Sequence, residues 1–265
     1  MKPGAKTLLF GTLTLLIIGT AAVLLLADKT REFRPEPLPN PNGYDDFVEA
    51  GQLVQADLND DSSANTNDFK LFLVRNEDAL KRLQTGLARE CRVPLDVSPG
   101  AATNAVRFER LSSLKRCALL LTAQGRLAEL EGKRSDAANA YLQTVRLGCA
   151  VTRGGVIIDA QVGLAIQAKG LARLENLLKQ SLEPEAAALA KSLEALTSSC
   201  GSATETLERE GAWARKTFGF RWRFIRILRP SLLKAAEQNM MAKYSTRDST
   251  VARLTSEASA RAALK

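Results

Sequence analysis

The side chains of this sequence that could do chemistry are carboxylates, cysteines and one basic aromatic segment, because its 265 residues include no histidine. Without histidine, Ser-His-Asp and Cys-His catalysis, histidine-ligated zinc and a histidine pH switch are excluded. The phosphate-binding patterns GxxxxGK(S/T) and GxGxxG and the GxSxG nucleophile elbow do not occur. We therefore predict no catalytic residue, no metal site and no cofactor.

The acidic pairs Asp45-Asp46 and Asp60-Asp61 are the simplest carboxylate features. Acid–base catalysis of the glycosidase type needs two acids held across a cleft. Nothing in the sequence indicates such a cleft, so solvated surface acids are the favoured interpretation. An enzyme that uses carboxylates or a cysteine without histidine is the alternative to a non-catalytic protein.

A loop between residues 57 and 68 has oxygen-bearing side chains at positions 1, 3, 5, 9 and 12 of the spacing that EF-hand loops use for calcium. Those residues are Asp57, Asn59, Asp61, Asn65 and Asp68. However, Ser62 replaces the glycine needed at the sharp turn, and Asp68 is shorter than the usual bidentate Glu. A polar loop between two helices is therefore favoured over a cation site.

The four cysteines are scattered, at Cys91, Cys117, Cys149 and Cys200, and form no CxxC pair. This spacing disfavours a thiolate metal site. A body outside the cytoplasm would permit disulfides, but we favour buried thiols, which behave as small hydrophobes. If a bridge forms, Cys91 and Cys200 are the candidates, since both are predicted near helix ends.

The segment with the most distinctive composition is 213–229, which contains both tryptophans, three phenylalanines and six basic residues but no acidic residue. If this segment is one helix, Phe218, Trp222 and Ile225 share a stripe with Arg229. The candidate membrane- or partner-contact residues are Trp213, Phe220, Arg221, Trp222, Arg223, Phe224 and Arg226.

Three interpretations of this segment are open. Aromatic residues can pack into a core while arginine stems cover its edge, and this is the favoured one. A basic amphipathic helix with Trp and Phe can instead lie at a membrane surface that carries anionic headgroups. An acidic protein or polymer is a third possible partner, whereas nucleic acid is disfavoured because no known binding motif is present.

The elements that would position these residues begin with an uncharged apolar stretch over residues 7–27. Its 21 residues, at about 1.5 Å each in a helix, span the roughly 30 Å hydrocarbon layer. A cleaved signal peptide, and so a secreted helical protein, is the alternative. Cleavage after Ala21 or Ala22 would leave an apolar run on the mature chain, so we favour a single-pass transmembrane anchor.

The orientation of this anchor follows from what flanks it. Lys and Arg are nearly balanced on its two sides, so the positive-inside rule gives little bias. The tail 1–6 leaves little to translocate, and anchors with the N-terminus in the cytoplasm are common, so we favour a body outside the cytoplasm. We therefore predict a cell (inner) membrane protein with one anchor and an extracytoplasmic body.

The rest of the chain predicts an all-α fold. Residues 28–43 form a Pro-rich stalk, in which alternating prolines at 35–41 favour extended polyproline II. The body, 44–208, is rich in good helix formers with apolar residues at helical spacing. The region 209–265 is helical and basic, with 13 Lys and Arg against 4 Asp and Glu. Interruptions predicted at 132–134, 152–155, 199–202 and 229–231, among others, divide the helices into antiparallel hairpins.

Residues 121–147 resemble a tetratricopeptide repeat. The positions that pack and terminate the two helices of such a repeat hold Gly125, Gly132, Ala137 and Tyr141. The resemblance is partial, because Ala128 stands where the first helix usually has an aromatic residue and the trailing proline is missing. A generic helical hairpin is an equal alternative, and no second repeat is evident.

More broadly, the chain resembles an uncharacterised family of bacterial proteins with an N-terminal membrane anchor and a helical body. The motifs that carry this resemblance are 41–47 (PNGYDDF), 91–94 (CRVP), 132–141 and 154–159 (GGVIID). The resemblance implies architecture and location but no activity, and it does not extend beyond Arg209. We therefore expect a membrane-anchored, non-catalytic interaction or scaffold protein with a protein partner, and an anionic lipid surface as a further contact.

Overall fold

The computed structural model of this chain describes residues 36–55, 65–95, 105–179 and 186–263. The secondary structure of these residues is helical and includes no strand, which confirms the predicted all-α class. The proposed anchor at 7–27 and the first half of the stalk, residues 28–35, lie outside these residues. Among the residues described, no helix is both long and apolar enough to cross a membrane.

We number the helices in chain order. The first four are α1 (Gly43–Leu53), α2 (Thr66–Arg75), α3 (Glu77–Leu87) and α4 (Ala105–Leu130). The next three are α5 (Arg134–Thr152), α6 (Ile157–Lys179) and α7 (Ala186–Ser199). The last three are α8 (Ala203–Phe218), α9 (Phe220–Leu228) and α10 (Pro230–Ala262).

Side-chain caps explain where several of these helices begin. The Asn42 side chain accepts a hydrogen bond from Tyr44 N at the start of α1, and Ser202 accepts one from Glu205 N at the start of α8. At α2, Asn65 and Asp68 form a reciprocal capping box. These two residues of the calcium-like pattern therefore cap the N-terminus of α2. The other three, Asp57, Asn59 and Asp61, lie outside the described residues.

Helices α5 and α6 form the central antiparallel pair, and the other helices pack around it. On one side, α1, α2 and α3 pack on α4 around buried aromatic side chains such as Phe47 and Phe72. On the other side, α7 and α10 cover a second core that includes Tyr141, Leu174 and Leu254. The fold therefore depends on two apolar clusters that share the α5–α6 pair.

Asn76 ends α2 at a point where the sequence pattern predicted no break. Its side chain is buried; its amide nitrogen donates to Phe72 O at 2.8 Å and to Gln55 O at 3.0 Å. Its Oδ1 accepts from Gln55 N at 2.6 Å. Because this amide satisfies backbone groups of two segments at once, α2 and α3 form as two helices rather than one.

The segment 213–229 is also not a single helix, which corrects the sequence-based expectation. Helix α8 ends at Phe218, Gly219 has a φ of +53°, and α9 begins at Phe220. Residues with a side chain rarely adopt this backbone conformation. The stripe predicted from Phe218 to Arg229 is therefore divided by the turn at Gly219.

The cysteines differ from the favoured expectation of four buried thiols. Cys149 of α5 and Cys200, just after α7, form a disulfide, and their Cα atoms lie 4.4 Å apart. Cys91 and Cys117 are buried free thiols. The predicted candidate pair Cys91–Cys200 is wrong, because the packing of α7 against α5 brings Cys149, and not Cys91, to Cys200.

Candidate functional site

The basic aromatic segment leads into an exposed helical element, which we call the arm: residues 220–239, comprising α9, Arg229 and the first part of α10. All but one of the residues 230–239 are exposed to solvent. Three large apolar side chains of the arm are exposed, with 40% of Ile225, 73% of Leu228 and 56% of Leu232 accessible. Exposed apolar side chains gathered on one element are typical of a contact surface.

Positive charge accompanies these apolar residues without interruption. Between Glu210 and Glu237 the sequence has seven Lys and Arg and no Asp or Glu. Arg221, Arg226 and Arg229 are exposed on the arm. The Glu210 carboxylate accepts a hydrogen bond from Ile157 N at 2.9 Å, and burial raises its pKa.

The predicted contact residues divide into two groups in the structure. Trp213 is only 6% exposed and packs with Val156, while its ring meets Phe218 edge to face with 5.8 Å between centroids. Trp222 is half-buried against the same cluster. Trp213 is therefore core, as the core-packing interpretation expected, whereas Arg221 and Arg226 lie on the arm surface. Phe220, Arg223 and Phe224 belong to α9, which forms the arm.

Beneath the arm, a buried polar cluster lies at the start of α6. Asp159 is 2% exposed, and its Oδ2 accepts from Val156 N at 2.9 Å and from Arg107 Nη2 at 2.6 Å. Burial raises the pKa of Asp159, an effect that the Arg107 guanidinium opposes. The Arg107 guanidinium also lies 5.3 Å from the centroid of the Trp213 ring. Asp159 binds the N–H of the residue just before α6, and Glu210 binds the first N–H of α6. The cluster therefore caps that helix and ties α4 and α8 to it.

A cavity of about 630 Å³ opens beside this cluster, and we call it the arginine cavity. Three guanidinium groups from separate elements line it: Arg92 before α4, Arg153 after α5 and Arg209 on α8. The stalk residues Glu36 and Leu38 line its edge. Among the described residues, no group of three or more Cys, Asp or Glu side chains is placed to hold a metal ion.

The four repeat-packing residues converge at the α4–α5 hairpin. The side chains of Ala137 and Tyr141 are fully buried, and a Cβ built on Gly125 would lie 2.3 Å from the Tyr141 ring. Gly132 has a φ of +74°, with Gly132 N donating to Glu129 O and Lys133 N to Ala128 O. This bond pattern is a Schellman motif, which ends α4 and reverses the chain.

Sequence reasoning missed two parts of these surfaces. It did not assign Leu228 and Leu232 to the contact set, although both are apolar residues within or beside the basic segment. It also gave no role to the arginines of the cavity, because Arg92, Arg153 and Arg209 are far apart in the sequence and only packing brings them together.

Comparison with known proteins gives no relative from which a function could be transferred. No protein-family model, curated protein or solved structure matches this chain.

Proposed function

We propose that this protein is a non-catalytic helical interaction protein, anchored in the inner membrane by residues 7–27 with its body outside the cytoplasm. In this proposal the arm lies on the anionic surface of the same membrane. The observation that carries the proposal is the exposure of Ile225, Leu228 and Leu232 within a basic stretch that has no acidic residue between Glu210 and Glu237.

The physical basis is that apolar and electrostatic terms act together at a lipid interface. Full burial of a Leu or Ile side chain contributes about 1.5–3 kcal/mol. A Lys or Arg near a surface of anionic lipid contributes about 1 kcal/mol. Either term alone gives weak binding, but a tethered arm needs little affinity because its effective concentration at the membrane is high.

The position of the stalk is compatible with this contact. Glu36 borders the arginine cavity, which Arg209 of α8 also lines. The apolar stretch ends nine residues before Glu36, so those residues reach at most about 30 Å. Phe218, at the arm end of α8, is nine residues beyond Arg209, or about 14 Å along the helix. An anchored chain therefore keeps the arm within reach of the bilayer.

The disulfide supports the location outside the cytoplasm. Disulfides form and persist in oxidising compartments and are rare where thiols are kept reduced. Cys149 and Cys200 are bonded, while burial raises the pKa of both Cys91 and Cys117 to about 12. These two remaining thiols are thus protected from oxidation that would compete with formation of the Cys149–Cys200 disulfide.

We also propose that the α4–α5 hairpin is a tetratricopeptide-like unit. The contact of Gly125 with the Tyr141 ring and the turn at Gly132 support this. Such a unit stacks on neighbouring helices rather than folding alone, and α6 supplies the neighbouring surface here.

The arm contact is tested by an environment-sensitive dye attached to Leu228→Cys in the full chain. We expect the dye to report an apolar environment in vesicles of phosphatidylcholine with phosphatidylglycerol, and less so in phosphatidylcholine alone. The matched control is Val74→Cys on α2, because Val74 is 71% exposed and Leu228 is 73% exposed. The variant Arg221→Glu with Arg226→Glu should abolish the response at Leu228→Cys.

A dye at Leu228→Cys that stays as water-exposed as the dye at Val74→Cys in anionic vesicles would refute the arm contact. The anchor is tested separately by the intact mass of the mature protein from native membranes. We expect residues 7–27 to be retained, whereas a chain trimmed within or just after them and recovered without detergent would be a secreted protein.

A further inference from the structure

The geometry points to a binding site for an extended acidic peptide of a partner protein in the arginine cavity, where the stalk's own Glu36 competes with it. This inference goes beyond the proposed membrane contact and does not depend on it, because no residue of the arm lines the cavity.

The first support is that the backbone around the arginines is held in place. The buried Asn42 side chain binds both backbone groups of Arg92: its Nδ2 donates to Arg92 O at 2.8 Å, and its Oδ1 accepts from Arg92 N at 3.0 Å. The next residue, Val93, donates its N–H to Arg153 O at 3.0 Å. Two of the three arginines are thus fixed relative to each other by hydrogen bonds.

Close packing at Gly154 adds to this order. Gly154 has a φ of +81°, and a Cβ built on it would lie 2.5 Å from Cγ of Arg92. The Arg92 side chain therefore packs directly against Gly154, and its guanidinium group lines the cavity. The third arginine, Arg209, is held on α8, where its Nη2 pairs with Glu205 at 3.0 Å.

The stalk shows what kind of ligand these guanidinium groups accept. Nη1 of Arg92 pairs with the Glu36 carboxylate at 2.6 Å and donates to Pro37 O at 3.1 Å. One guanidinium group thus holds a side-chain carboxylate and the backbone carbonyl that follows it in a proline-containing segment without regular secondary structure. This is the recognition that an acidic peptide in extended conformation would use.

The stalk leaves much of this binding capacity unused. Arg153 makes one ion pair within the described part of the chain, a long contact of 3.8 Å with Glu90. The cavity of about 630 Å³ also has apolar walls at Val93, Pro94 and Leu95. A second carboxylate could therefore reach Arg153 while neighbouring apolar side chains of the peptide cover those walls.

The ion pair between Glu36 and Arg92 is one that such a peptide can displace. The Glu36 side chain is 69% exposed, and exposed ion pairs contribute little to stability. The stalk can therefore be displaced from Arg92 at small cost. As a tethered segment it still competes, because a short linker gives it a high effective concentration.

The test uses the full chain and a fluorescent peptide with the sequence of residues 35–39, PEPLP, measured by anisotropy. We expect Glu36→Gln to bind this peptide at least threefold more tightly than the unaltered chain, because the internal competitor is weakened. In the Glu36→Gln background, Arg92→Gln and Arg153→Gln should each weaken binding at least fivefold. A peptide with Gln in place of its Glu should bind at least fivefold more weakly.

The matched control is Arg253→Gln on α10, an arginine that pairs with Glu175 and Glu257 and lies outside the cavity. It should leave peptide binding unchanged, and equal thermal midpoints should show that every variant folds. Binding that is insensitive to Arg92→Gln and Arg153→Gln would overturn the inference. Displacement of the peptide by an equal concentration of inorganic phosphate would reveal a simple anion site and would overturn the assignment to a peptide.

Discussion

Gly148 of α5 and Gly163 of α6 meet backbone to backbone where the two central helices cross. A Cβ built on Gly148 would lie 2.5 Å from Gly163 O, and a Cβ built on Gly163 would lie 2.7 Å from Gly148 O. The central pair therefore packs more closely than side chains would allow. Because both cores and the arginine cavity are built around this pair, the crossing sets the geometry of the body.

We expect Gly148→Ala and Gly163→Ala each to destabilise the protein by about 1–3 kcal/mol, because the added methyl group forces two backbones apart. The measurement is the free energy of unfolding in denaturant. Gly211→Ala is the control, since a Cβ there would meet only Arg215 Nη1 at 3.5 Å. It should stabilise helix α8 by up to about 1 kcal/mol, and equal effects at the three positions would contradict close packing at the crossing.

The turn at Gly132 should tolerate no β-carbon without strain. A Cβ on Gly132 would meet nothing within 4 Å, but its φ of +74° is left-handed. We therefore expect Gly132→Ala to cost about 1–2 kcal/mol from the backbone alone. Gly132→Asn should cost less, because Asn tolerates this conformation. Thermal midpoints in the order Gly, Asn, Ala would confirm the Schellman turn, and a more stable Ala variant would refute it.

The four cysteines should react as one disulfide and two protected thiols. Since burial raises the pKa of Cys91 and Cys117 to about 12, we expect no alkylation of the native protein at pH 8. Mass spectrometry should find two modified cysteines after denaturation and four after denaturation with reduction. Rapid modification of one thiol in the native state would show that Cys91 or Cys117 is accessible.

Loss of the disulfide should destabilise the body. The bridge joins residues 51 positions apart, and closing a loop of this size typically contributes about 2–4 kcal/mol. We expect Cys149→Ser with Cys200→Ser to lower the free energy of unfolding by that amount. A reducing agent should have the same effect on the unaltered chain and none on the double variant, and a destabilised double variant that still responds to reductant would contradict this account.

The buried carboxyl of Asp159 should make stability depend on acidity. Its pKa is raised in the folded state above its ordinary value of 3.8 because burial outweighs the attraction of Arg107. The contribution of Asp159 to stability is therefore fully present below about pH 4 and is lost as the pH rises through the raised pKa. We expect the unaltered chain to lose stability relative to Asp159→Asn as the pH rises above about 4.

This comparison isolates one group, because Asp159→Asn removes that titration and leaves the other titrating groups in place. Unfolding free energies at four or five pH values suffice. A difference between the two proteins that stays constant, or that grows in favour of the unaltered chain as the pH rises, would show that the pKa of Asp159 is not raised.

The all-α class and the main helix boundaries could be predicted from the sequence, because they depend on local signals. Helix formers at helical spacing and the glycine at position 132 each act within a few residues of their own position. The positive charge of the last quarter of the chain is likewise a property of composition. Such features do not require knowledge of which helices are neighbours.

Only the tertiary structure decided the features that join distant segments. The pairing of Cys149 with Cys200 depends on where α7 packs along α5, and the burial of Trp213 depends on Val156 being next to it. The same holds for the arginine cavity, whose guanidinium groups come from three separate elements. Helical periodicity specifies which side of a helix is apolar, but the partner that covers that side is chosen by packing between segments far apart in the chain.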